Sequence, residues 1–133
     1  MFKFINLLHR IEGKTQEEFL DHWQNVHAPL VRSLAKEIRM KRYIQIHPGH
    51  SAVTGAITEP RGFNSLSGVE YDGIVECWWD SEEEFFAGLS SEEGKAAWAK
   101  IAEDEPNFSD YKRGYVFCGD EVPIFDHRAV KDF

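Results

Sequence analysis

TQEEFLDHWQNVHAPL, Thr15–Leu30, is the stretch on which the fold of this chain turns. Thr15 stands three residues before Glu18, the spacing at which each side chain satisfies an amide donor at the start of a helix. From there Phe19, Leu20, Trp23, Val26, Leu30, Val31 and Leu34 recur at helical spacing and give one wide apolar stripe. Pro29 interrupts it. A proline in a helix interior withholds an amide and presses on the carbonyl four residues back, here Asn25. The helix therefore kinks, or ends near Ala28 and restarts with Pro29 in a first turn. Either way backbone carbonyls come free beside His27, where they could orient its ring. His27 follows Trp23 by four and shares the buried stripe. His22 lies five residues from it, about 140° away around an α-helix, so it falls with Asp21 and Gln24 on the polar side. That spacing does not make a metal pair, which on a helix needs i and i+4.

Strands flank this helix. FKFINLL, Phe2–Leu8, is short, apolar and aromatic. KRYIQIH, Lys41–His47, alternates Tyr43, Gln45 and His47 with Ile44 and Ile46, a strand with one polar and one apolar face. YDGIVECWW, Tyr71–Trp79, and YKRGYVFCG, Tyr111–Gly119, read as the third and fourth strands. Between them, Ser81 with Glu84 and Ser90 with Glu93 open a short helix over Glu82–Leu89 and a longer one over about Glu92–Ala102. Residues 48–69 are rich in glycine, proline and small polar residues and read as a loop or insertion; residues 120–133 read as a tail. The order β-α-β, loop, β-α(α)-β describes a single α+β domain over residues 1–133: a ferredoxin-like split β-α-β sandwich on a four-stranded antiparallel sheet. The simplest orientation packs Ile44 and Ile46 against the helices. Tyr43, Gln45 and His47 then face the uncovered side, and that side calls for a homodimer partner through the sheet faces.

Composition narrows the partners. Of 133 residues, 42% are hydrophobic and 29% charged, an ordinary globular mix. A formal charge of −8 disfavours nucleic acid, and RMKR at 39–42 is too short a basic run to reverse that. No apolar run approaches the ~20 residues that span a bilayer, so no membrane partner and a cytoplasmic location are expected. Cys77 and Cys118 lack CxxC spacing and are expected as reduced thiols.

The candidate chemistry centres on His27. Burial disfavours the charged form of an imidazole, so a histidine on an apolar stripe can accept a proton. The bland alternative is a satisfied core histidine. Tyr43, Gln45 and His47 form either a polar strand face at the dimer contact or a hydrogen-bonding wall for a substrate oxygen. Cys77 shares a face with Val75 and Trp79, where a small buried hydrophobe is its ordinary role. Trp23 and Trp79 are aromatic candidates for a ligand wall, which suits a flat ring. Glu70 and Asp72, flanking Tyr71, are lesser acid candidates, and no metal site is expected.

HWQNVHAPLV after the capped helix TQEEFLDHW, together with the YDGIVECWWDSEEEF strand-to-helix join, resembles the EthD-like family of dimeric α+β barrel proteins. The resemblance covers about residues 2–122 and is weakest in residues 48–69 and the tail. It implies a ferredoxin-like protomer, two of which pack sheet on sheet, each with a small-molecule pocket between sheet and helices. Members include methylmuconolactone isomerases, dehydratases of aromatic polyketide pathways and a protein of ether degradation, mostly without metal or organic cofactor. In the isomerase branch a helix histidine, a strand tyrosine and a strand cysteine line the pocket, which here implies His27, Tyr43 and Cys77. A further histidine of that branch has no match, since this chain has GFNSLSG there. The expectation is a cofactor-free enzyme moving a proton on a small oxygenated ring compound, an isomerase, dehydratase or cyclase. His27 would be the base, Tyr43 the oxyanion stabiliser, and Trp23, Gln45, His47, Cys77 and Trp79 the substrate wall. A non-catalytic carrier of a hydrophobic metabolite and a monooxygenase or haem-handling barrel are the alternatives.

Overall fold

Alternation of large apolar residues along Phe2–Leu8 (β1), Arg42–Ile46 (β2), Gly73–Trp79 (β3) and Tyr115–Asp120 (β4) builds one sheet in the order β2-β3-β1-β4. Each neighbouring pair is antiparallel, the ferredoxin-like arrangement. The computed structural model describes residues 1–66 and 71–129. One face of the sheet carries the helices Gln16–His22 (α1), Ala28–Leu34 (α2), Glu82–Ser90 (α4) and Glu92–Asp104 (α5). Trp23, Trp79, Phe19, Phe108 and Ile38 are fully buried between the two layers. Among the described residues no helix is long and apolar enough to cross a membrane.

Register decides which strand residues face the helices. Phe4 pairs with Cys77, and Cys77 with Tyr43; Asn6 pairs with Val75, and Val75 with Gln45. Val75, Cys77 and Trp79 are buried, so Tyr43 and Gln45 point inward with them. The expected orientation of β2 is therefore reversed: Ile44 and Ile46 lie on the outer face, where Ile46 is 44% exposed. Partners supply the reason. Gln45 Nε2 donates to the Trp23 carbonyl at 2.9 Å and to the Tyr43 hydroxyl at 3.1 Å. His47 Nε2 donates to Gln45 Oε1 at 2.8 Å while its ring stacks on Trp23. A polar set whose members are hydrogen-bonded inside outweighs two isoleucines whose place in the core Val75, Cys77 and Trp79 already fill.

Thr15 and Glu18 form the expected reciprocal cap, with bonds of 3.1 and 2.9 Å. As in the second alternative, α geometry restarts at Ala28 with Pro29 in its first turn, but the chain stays helical throughout. It widens into a π-helical segment, Trp23–His27, and returns to α geometry at Ala28. Across the widened turn the Ala28 amide bonds to the Trp23 carbonyl, five residues back. The extra residue in that turn relieves the proline ring's pressure on the preceding carbonyls. It also rotates the later side chains: Val26, expected in the stripe, is 50% exposed.

Smaller differences follow local chemistry. Ser91, not Ser90, caps α5 through the Gly94 amide at 3.0 Å, because Ser90 is still the last residue of α4. The expected loop at 48–69 contains a helix, Ser51–Thr58 (α3); residues 67–69 of it lie outside the described residues, as do 130–133 of the tail. The fourth strand begins at Tyr115, after a 3₁₀ turn over Tyr111–Arg113.

Gly73 opens β3 directly under the Trp23 ring: a Cβ there would sit 2.4 Å from the ring edge. Gly73→Ala is expected to displace Trp23 and to lower unfolding stability by about 1–3 kcal/mol, read from denaturant melts.

Candidate functional site

The helix layer and the sheet border a partly open cavity of about 120 Å³, lined by residues that include Phe4, Trp23, His27, Tyr43, Cys77 and Phe108. Its walls are mainly apolar, and Glu105 and Asp110 are the acids among its lining residues.

His27 comes from the π segment and is 4% exposed. Its ring is oriented by a carboxylate: Nδ1 lies 2.9 Å from Asp104 Oδ2, so Nδ1 carries a hydrogen, and the neutral ring has its lone pair on Nε2. The expected backbone carbonyl plays no part in that hydrogen bond. Asp104 also receives His22, whose Nε2 lies 2.9 Å from Oδ1 and 3.1 Å from Oδ2. His22 therefore does not belong to the polar side of the helix. A residue pair about 140° apart in an α-helix converges on one acceptor once the intervening turn is π-helical. Both rings pack against Phe108, at centroid distances of 5.1 Å for His22 and 4.8 Å for His27.

Burial works against the charged form of Asp104, but the hydrogen bonds from His22, His27 and Asn107 outweigh it and hold the carboxyl below the ordinary aspartate range. Asp104 was not among the expected site residues. Its signal was present: in α5 the buried positions Gly94, Ala97 and Ile101 lead by helical spacing to position 104, where an acid interrupts the stripe. An acid in the last turn of a helix also opposes the helix dipole.

Tyr43, on β2, lines the same cavity as His27. Its hydroxyl oxygen accepts from Gln45, which leaves the hydroxyl hydrogen free to donate. Burial raises the phenol to about 12 against that hydrogen bond, so it stays protonated over the physiological range. Cys77 also lines the cavity, and burial pushes its thiol well above the ordinary value, which leaves a packing sulfur with no thiolate character. Cys118 is exposed, and both cysteines are free thiols.

The remaining expected residues divide. Trp23 lines the cavity. Gln45 supports Tyr43 and Trp23 from behind, and His47 stacks on Trp23 beside a separate cleft bordered by Thr54 and Thr58. Trp79 is fully buried away from the cavity lining, donating its indole hydrogen to the Ile38 carbonyl at 2.8 Å. Asp72 is held by the Arg10 guanidinium at 3.0 Å and by Gln16 at 3.2 Å, a structural network; Glu70 lies outside the described residues. Among the described residues no group of three or more His, Cys, Asp or Glu side chains is arranged to hold a metal ion.

No curated protein sequence matches the chain. Among solved structures, an ethyl tert-butyl ether D (EthD) family protein from Bacillus halodurans superposes with TM-score 0.60 at 20% identity, covering 92% of this chain and 99% of that one. An EthD-like protein from Ralstonia eutropha gives TM-score 0.59 at 16% identity, covering 96% and 97%. SnoaB from Streptomyces nogalater, described as a cofactor-independent oxygenase, gives TM-score 0.51 at 9% identity, covering 92% and 93%. The EthD domain profile itself matches residues 11–112, from before the capped helix to the start of the turn leading into β4. That match spans most of the sequence, and the chain belongs to the EthD domain family.

Proposed function

We propose that this protein is an enzyme that moves a proton on a small oxygenated ring compound, in the manner of an isomerase, dehydratase or cyclase. The reading rests on one observation above all: an imidazole 4% exposed, hydrogen-bonded through Nδ1 to a carboxylate, on the wall of an apolar cavity. His27 Nε2 takes the proton. Asp104 holds the ring and stabilises the imidazolium that forms, as a buried carboxylate does for a general base. Tyr43 donates its hydroxyl hydrogen to the oxygen on which negative charge develops. The proton then returns from the imidazolium to another position of the ring, or leaves with a hydroxyl as water. No step in this scheme calls on a metal or an organic cofactor.

The second element of the proposal is a homodimer joined through the outer sheet face. Ile5, Ile44 and Ile74 are half-buried there, Ile46 is exposed and Phe117 is 68% exposed. Trp78 shares that face but is shielded by the cations of Lys3 at 4.5 Å and Arg42 at 4.8 Å from its ring. An aliphatic band of this kind needs cover. The covering face is the aliphatic one, the reverse of the polar set expected from β2.

Three measurements test these statements. Exchange of the proton beside the carbonyl of a small unsaturated lactone, followed by NMR in heavy water, is expected to fall ~10²- to 10⁴-fold in His27→Gln while lactone affinity holds. Unchanged exchange removes His27 as the base, and binding without exchange in the parent chain leaves a carrier.

Asp104 ionises more readily folded than unfolded, so its charge contributes stability above the ordinary aspartate value of 3.8, and that contribution is lost as pH falls through the lower folded-state value. Asp104→Asn is therefore expected to be less stable than the parent by about 1–3 kcal/mol at neutral pH, with the gap narrowing in melts below pH ~4.

Phe117→Glu is expected to turn a dimer into a monomer by light scattering. A parent chain that is already monomeric removes the sheet-to-sheet pairing.

A further inference from the structure

Two residues of the cavity lining each carry a buried polar atom with no hydrogen-bond partner among the described residues: the side-chain oxygen of Asn6 and the indole nitrogen of Trp98. Both residues line the chamber that holds His27 and Tyr43. Asn6 sits on the inward face of β1, between Val75 on β3 and Val116 on β4 by register. Trp98 reaches in from α5, with its ring stacked on Trp79 at a centroid distance of 6.2 Å. Glu37 carries the third such atom and does not line this cavity. Buried donors and acceptors are almost always paired, and a pair of orphans on one cavity wall marks the place where a ligand's polar atoms belong. An indole nitrogen only donates, so Trp98 calls for an acceptor oxygen. The Asn6 oxygen only accepts, so it calls for a hydroxyl or another donor.

Size adds a further constraint. A cavity of about 120 Å³ is close to the ~150 Å³ that admits one benzene ring within a packed interior. Phe4, Trp23 and Phe108 on its walls favour a flat ring.

We infer that Asn6 and Trp98 are the polar recognition pair of this cavity, and that its ligand is a single-ring compound with a carbonyl-type oxygen for Trp98 and a hydroxyl for Asn6. The inference rests on the chamber being the ligand site, as in the function proposed above, but not on His27 being a base. It narrows the substrate class to hydroxylated monocyclic carbonyl compounds.

The test uses three probes of one ring size, titrated into the full chain by calorimetry: 4-hydroxybenzaldehyde, benzaldehyde and toluene. Affinity is expected to fall in that order, by about tenfold for each hydrogen bond lost. Trp98→Phe keeps the ring and removes the donor; it is expected to weaken both aldehydes about tenfold and leave toluene unchanged. Asn6→Leu is expected to make 4-hydroxybenzaldehyde bind no better than benzaldehyde. Toluene binding as tightly as 4-hydroxybenzaldehyde in the parent chain overturns the assignment, as does an unchanged aldehyde affinity in Trp98→Phe. The ranking in the parent chain decides the question even where Asn6→Leu fails to fold. The probe ranking and the lactone exchange can fail separately: silent exchange with an intact ranking removes the base and keeps the recognition pair, and the reverse result removes only the pair.

Discussion

Pro29 cannot donate a backbone hydrogen bond, and its ring will not fit inside an ordinary α-helical turn. The helix answers by widening over Trp23–His27, and most of the site geometry follows from that turn. The carbonyl of Trp23 receives both the Ala28 amide and the Gln45 side chain, which fastens β2 to the helix. The same turn swings His22 and His27 onto one side, where a single carboxylate at the end of α5 meets both rings. Two helices and a strand are thus tied by side-chain hydrogen bonds at the point where the cavity lies. The link runs from one imino acid, through backbone hydrogen bonding, to the orientation of an imidazole.

Charge placement in this region departs from what helix stability alone prefers. Asp104 stands in the last turn of α5, opposed by the helix dipole, and Glu105 follows it with a hydrogen bond from Tyr111 at 2.7 Å. Local rules broken in this way tend to mark positions kept for a site and stabilised from elsewhere. Here the compensation is visible: His22, His27 and Asn107 together hold the Asp104 carboxylate. Under the proposed reading that carboxylate sets the tautomer of His27, and the dipole-opposed position is the consequence of needing it there.

Part of the candidate site's geometry was legible before any coordinates. His27 follows from its spacing to Trp23, and the reciprocal Thr15–Glu18 cap follows from residue type alone. Other residues carried a signal that went unread. Asn6 occupies a core-facing position in the alternation Phe2, Phe4, Asn6, Leu8, and a polar residue there is a local inconsistency. Asp104 likewise falls in phase with the buried positions of α5. His22 was not legible, because its placement depends on a helix geometry that periodicity arguments assume to be regular.

The sequence by itself determined the order of the four strands, the Thr15 and Ser81 caps and most of the apolar stripe, because each depends on neighbours within a few residues. Alternation in β2 also established that Tyr43 and Gln45 share a face opposite Ile44 and Ile46. Which of those faces turned inward was left to the tertiary structure. That choice depends on a carbonyl at Trp23, twenty-two residues from Gln45, coming free to pair with an amide side chain. The meeting of His27 with Asp104, seventy-seven residues away, is of the same kind. Hydrogen bonds between distant residues carry no periodic signature, so only the packed chain could decide them.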